Sequence, residues 1–119
     1  MAKILVADDE RLIRQLVCDF LHQAGHETLE ANNGAQALEL FRKNPDTELL
    51  ILDIMMPEVD GWEVTREVRK TSNVPIILLS ARGEEFDQLT GFDAGADEYV
   101  TKPFSPVVLV KRAEALLRR

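Results

Sequence analysis

Short apolar runs that stop at an acid, a hydroxyl or a lysine, alternating with stretches of helical period, constrain this chain more than any other feature. Five runs read as strands: Ile4 to Ala7, Thr28 to Ala31, Leu49 to Leu52, Ile76 to Leu79, and Tyr99 to Thr101. Strand and helix alternating in this way build a parallel sheet with helices on its faces. The first helix carries Leu12, Ile13, Leu16, Val17, Phe20 and Leu21 on one side and stops at Gly25. The second opens at Asn33 with Gln36 three residues on, a capping-box spacing, and Pro45 follows its end. A third runs from about Trp62 to Lys70 and a fourth from about Glu84 to Gly91. Ser105-Pro106 opens the fifth as N-cap and first-turn proline.

Parallel strands joined through helices use right-handed crossovers, and a chain of this size then forms an open, doubly wound five-stranded α/β sheet with five helices. The strand order 2-1-3-4-5 is taken from the flavodoxin-like members of that class rather than derived from the residues. In such sheets ligands sit at the carboxyl ends of the strands. The polar residues fall there: Asp8 and Asp9 after strand one, Asp53 after strand three, Ser80 after strand four, Lys102 after strand five. With strand one beside strand three, Asp8, Asp9 and Asp53 become neighbours.

At 119 residues the chain fits one domain. Folding hides roughly two-thirds of its unfolded surface, so no metal or disulfide is needed merely to fold. Cys18 is the one cysteine and has no internal partner. With no long apolar stretch at either end, the expectation is a cytoplasmic protein without a membrane span. A formal net charge of -7 argues against direct nucleic-acid binding by this domain. The basic residues Lys111, Arg112, Arg118 and Arg119 are what the dipole favours in a last helical turn. The ending Leu116-Leu117-Arg118-Arg119 is abrupt, as in a domain cut from a longer protein with a C-terminal output domain.

Three carboxylates at one sheet edge repel: at about 5 Å and an effective dielectric near 20, each pair costs about 3 kcal/mol. Mg²⁺ relieves this, since it takes carboxylates, a carbonyl oxygen, waters and a phosphoryl oxygen. Lys102 adds a compact positive charge and Ser80 a hydroxyl, the groups that hold a phosphoryl group in flight. Asp53 then serves as nucleophile. Taken singly, Asp8-Asp9 could be helix-start acids and Lys102 a solvated loop lysine. Asp53 is harder to dismiss, because a carboxylate closing Leu49-Leu50-Ile51-Leu52 costs desolvation. The joint pattern decides for phosphoryl chemistry.

Along nearly its whole length the chain resembles a response regulator receiver domain of the OmpR/PhoB type. The motifs that carry the likeness are Ile4-Leu5-Val6-Ala7-Asp8-Asp9-Glu10, Leu52-Asp53-Ile54-Met55-Met56-Pro57 with Asp60-Gly61, Leu79-Ser80-Ala81, Gly95-Ala96-Asp97, and Tyr99-Val100-Thr101-Lys102-Pro103-Phe104. The resemblance implies a two-component phosphoacceptor in which a sensor histidine kinase phosphorylates Asp53 to control an output such as transcription. Asp9, Asp53 and the Met55 carbonyl would then ligate Mg²⁺, with Asp8 acting through water. Ser80, Lys102 and the Ala81 amide would hold the phosphoryl oxygens. It further implies a cis Lys102–Pro103 peptide and a switch in which Ser80 moves toward the phosphate while Tyr99 turns into the vacated space.

The same resemblance implies pairing through helix four, strand five and helix five. Three departures, Gln88, Val108 and Lys111, lead us to expect a monomer or weak homodimer. Two other readings compete. One is a Mg²⁺-dependent phosphatase of the haloacid dehalogenase type, whose second acid would stand where this chain has Met55. The other is a degenerate receiver that only binds partners. His22, His26, Trp62 and Cys18 are expected to be structural.

Overall fold

Consecutive apolar residues can all be buried only if both faces of a strand are covered. The computed structural model meets that condition. It describes residues 1–81 and 85–119, the side chains of residues 85–88 and 91 excepted. Strands β1 (Lys3–Ala7), β2 (Glu27–Ala31), β3 (Leu49–Asp53), β4 (Ile76–Ser80) and β5 (Glu98–Thr101) alternate with helices α1 (Arg11–Gln23), α2 (Gly34–Lys43), α3 (Gly61–Arg69), α4 (Glu85–Ala94) and α5 (Pro106–Leu117). All pairings are parallel, in the order β2-β1-β3-β4-β5.

Strand residues split between two cores with period two. Ile4, Val6, Leu49, Ile51, Ile77 and Leu79 pack with Val17, Cys18 and Leu21 of α1 and Leu109, Ala113 and Leu116 of α5. Leu5, Ala7, Leu50, Leu52, Ile76 and Leu78 pack on the other face with Ala37 of α2 and Val64 and Val68 of α3. Central strands β3 and β4 are buried along their whole length, whereas edge strand β5 is only half-buried.

Local chemistry sets the helix ends. Asn33 caps α2 by accepting from the Gln36 amide at 2.8 Å. Gln36 Oε1 reaches back, but to the amide of Asn32 at 2.7 Å rather than that of Asn33 itself. Asp60 caps α3 through the Glu63 amide at 2.9 Å, and Ser105 caps α5 through the Val108 amide at 3.3 Å. The fourth helix differs from expectation at its C-terminal end. Gly91 lies within it, and it runs to Ala94, where Gly95 at φ +110° supplies the left-handed stop. The expected start at Glu84 lies outside the described residues.

Gly61 fixes how closely α3 approaches the end of β3. A Cβ there would lie 2.6 Å from the Asp53 carbonyl oxygen and 2.9 Å from the Ile54 Cα. Its own amide donates to the Ile54 carbonyl at 2.9 Å. Only glycine permits this contact beneath Asp53.

Candidate phosphoacceptor site

Sheet register brings the polar residues together. Ala7 pairs with Leu52, so Asp8 and Asp53 emerge side by side from β1 and β3. Asp53 pairs with Leu79 and Ser80 with Thr101, which sets Ser80 one residue past Asp53 and Lys102 just past β5. The Lys102 amide donates to the Ser80 carbonyl at 2.6 Å, tying that loop to β4. The Lys102–Pro103 peptide is cis, as the resemblance implies.

Asp8 and Asp53 are 1% and 3% exposed, while Asp9 and Glu10 face solvent. Each of these four acids offers an oxygen within 4.8 Å of the others. Lys102 Nζ stands 3.1 Å from Asp8 Oδ2, 3.4 Å from Asp53 Oδ1 and 3.4 Å from Glu10 Oε1. Burial, reinforced by the charge of Asp8 and opposed by Lys102, pushes the Asp53 carboxyl up to about 7. The Lys102 ammonium is held above its ordinary range: burial works against the charge, but Asp53 and Asp8 outweigh it. One lysine beside four acids leaves negative charge uncompensated. This all-oxygen set suits a hard divalent cation.

Ser80 is 2% exposed at the end of β4. Ala81, the residue after β4, and Met55, two residues past Asp53, are exposed, Met55 at 58%. Tyr99 is half-buried against the second core and pairs in register with Leu78. Ser80 lies two residues beyond Leu78, and so on the same face of the sheet as Tyr99.

Sequence reading missed two residues here. Glu10 joins the cluster, and its amide donates to Asp8 Oδ1 at 2.9 Å, so Asp8 also organises the start of α1. The run Asp8-Asp9-Glu10 was its visible signal. Arg14 reaches the Asp8 carbonyl from α1 at 2.8 Å, and only its spacing of one turn from Glu10 hinted at that.

The residues read as structural have packing or bonding roles. His26 Nδ1 accepts from the Ala2 amide at 3.1 Å, and its Nε2 lies 3.1 Å from Glu114 Oε2. His22 Nε2 lies 2.8 Å from Thr28 Oγ1. Burial pushes the Cys18 thiol up to about 11. Trp62 packs on the second core, and its buried Nε1 has no hydrogen-bond partner among the described residues.

Comparison with known proteins defines the class. Residues 4–114 match the family model "Response regulator receiver domain". The chain belongs to that family: it is a two-component signalling phosphoacceptor rather than a catalytic enzyme.

Among particular relatives, "Probable transcriptional regulator ycf27" of Porphyra purpurea is 50% identical over 117 residues, covering 98% of this chain and 48% of that protein. "Transcriptional regulatory protein SrrA" of Staphylococcus aureus is 45% identical, with 98% and 48% covered. The chain thus spans about half the length of the curated relatives it matches. The receiver domain of the Francisella response regulator 1452 superposes with a TM-score of 0.94 at 36% identity, covering 100% of this chain and 98% of that one. The beryllofluoride-activated DrrB receiver domain superposes at 0.90 and 33% identity, with 100% and 99% covered. Family membership removes the dehalogenase-type phosphatase reading.

Proposed function

We propose that Asp53 accepts a phosphoryl group from the phosphohistidine of a sensor kinase, and that this switches an output domain of the kind found in transcriptional regulators. The observation that carries the reading is the convergence of Asp8, Asp9, Asp53 and Lys102 at one sheet edge, with Asp53 buried at the end of a central strand. An Asp53 Oδ attacks phosphorus, the oxygen–phosphorus bond forms, and the bond from phosphorus to the donor imidazole nitrogen breaks. Asp9, Asp53 and the Met55 carbonyl would hold Mg²⁺, with Asp8 acting through water. The bound ion supplies charge neutralisation at the phosphoryl oxygens. Lys102, Ser80 and the Ala81 amide bind those same oxygens and fix the group for in-line attack.

The proposed switch couples Ser80 to Tyr99, and their shared sheet face supports it. Movement there would alter the face made by α4, β5 and α5. A cytoplasmic setting fits this role, and no helix among the described residues is long and apolar enough to cross a membrane. DNA binding would reside in the part of such regulators that this chain does not span, since this domain carries a net charge of -7.

Incubation with acetyl phosphate and Mg²⁺ tests the assignment. Intact mass should rise by one phosphoryl group in the wild type and not in Asp53→Asn. A wild type that gains nothing would favour the degenerate-receiver reading.

A further inference from the structure

Phosphoacceptor chemistry leaves one arginine at the site without a role. Arg14 lies one turn past Glu10, its amide on the Glu10 carbonyl at 3.0 Å, and its side chain folds back over the β1–α1 loop. One terminal guanidinium nitrogen donates to the Asp8 carbonyl at 2.8 Å, and Nε donates to Glu30 Oε1 of β2 at 3.1 Å. The Arg14 side chain is only 16% exposed. From the other side, the Asp8 amide donates to the Ala31 carbonyl at 3.1 Å. Asp8 is therefore pinned at both ends of its backbone, once by β2 directly and once through Arg14. Asp9 differs, since among the described residues no hydrogen bond or salt bridge holds its side chain.

A peptide group is planar, so holding the Asp8 carbonyl also fixes the Asp9 amide and Cα, while the Glu10 amide on Asp8 Oδ1 holds the peptide on the far side of Asp9. Together they restrict the direction in which Asp9 leaves the backbone. We propose that Arg14, anchored by Glu30, is a positioning residue that aims the Asp9 carboxylate at the cation site beside Asp53. This rests on the cation-site reading given above. The task suits a rigid guanidinium fork, which reaches two acceptors at once. A lysine ammonium would supply charge without the fork.

Calorimetric titration of the full chain with Mg²⁺, in wild type, Arg14→Lys, Arg14→Met and Glu30→Gln, separates positioning from charge. Circular dichroism on the same samples confirms that each variant is folded. Arg14→Lys and Arg14→Met should both weaken Mg²⁺ binding by about tenfold or more, the usual cost of losing a residue that orients a metal ligand. Glu30→Gln, which keeps the arginine and should fold even if a substitution at Arg14 does not, should weaken binding by a smaller factor. Wild-type affinity in Arg14→Lys would overturn the positioning role, because the ammonium keeps the charge without the fork. Charge alone predicts tighter, not weaker, Mg²⁺ binding in Arg14→Met, since a cation beside the site repels the ion. Wild-type affinity in Glu30→Gln would also overturn the positioning role. A wild type that takes no Mg²⁺ would overturn the site reading and this inference together.

Discussion

Asp8, Asp9, Glu10 and Asp53 share one lysine, and the mismatch has a measurable consequence. A cation that binds only the folded cluster stabilises it by mass action, about 2.7 kcal/mol at one hundred times its dissociation constant. Thermal melts should therefore rise on adding Mg²⁺ in large excess. Asp9→Asn should show a much smaller rise, because it removes charge from an exposed carboxylate that the proposal makes a direct ligand. A wild-type melt indifferent to millimolar Mg²⁺ would count against the cation site. Asp8 is more entangled, since its oxygens also serve Glu10 and Lys102, so its replacement would mix cation binding with loop structure.

At the scale of elements, α5 and β5 carry a surface whose charges are largely used within the chain. Arg112 meets Glu98 at 3.0 Å and Arg119 meets Asp97 at 3.0 Å. Asp97 also accepts from Arg69 at 2.8 Å and from the Ile76 amide at 2.9 Å, which makes it an internal strut between α3 and the start of β4. Leu89, Phe92, Val107 and Val108 are exposed and offer apolar area for self-association. Lys111, exposed one turn beyond Val107, adds a charge beside that area, and a two-fold contact would meet it twice. Gln88, another departure from the usual pairing pattern, lies outside the described side chains. Exposed ion pairs contribute only about 0–1 kcal/mol each, so rearranging them across an interface would add little. Sedimentation of the beryllofluoride-activated protein should accordingly show a dimer weaker than micromolar. A tight symmetric dimer through α4, β5 and α5 would contradict this.

For the whole molecule, the site exacts a pH-dependent cost. With its folded value near 7 against an ordinary 3.8, Asp53 holds a proton between those limits that the unfolded chain has released. Folding stability in Mg²⁺-free solution should therefore fall as pH rises from about 4 to about 7 and level off above. The total would be on the order of a few kcal/mol. Lys102, with its value raised, contributes stability that is lost only far higher, as pH passes its folded value. Asp53→Asn should lack the neutral-range loss, so its stability advantage over wild type should be larger at pH 7.5 than at pH 5. Urea unfolding at the two pH values measures this, and equal differences would rule it out.

Much of this protein was legible in one dimension because its governing rules are local. Caps at Asn33 and Ser105, the apolar run ending in Asp53, and the motifs around Ser80 and Lys102 depend on neighbours a few residues away. What tertiary structure decided was register. Pairing Ala7 with Leu52, selected by burial summed over both cores, sets Asp8 beside Asp53. Pairing Ser80 with Thr101 delivers Lys102 to an acid 94 positions away. The end of α4 was undecidable locally, since Gly91 and Gly95 are both plausible stops and only Gly95 turns left-handed. Arg14 illustrates the same limit. Its residue type and helical spacing were visible, but its hold on the Asp8 carbonyl exists only once α1 packs beside β1 and β2, because a backbone acceptor has no signature in the sequence.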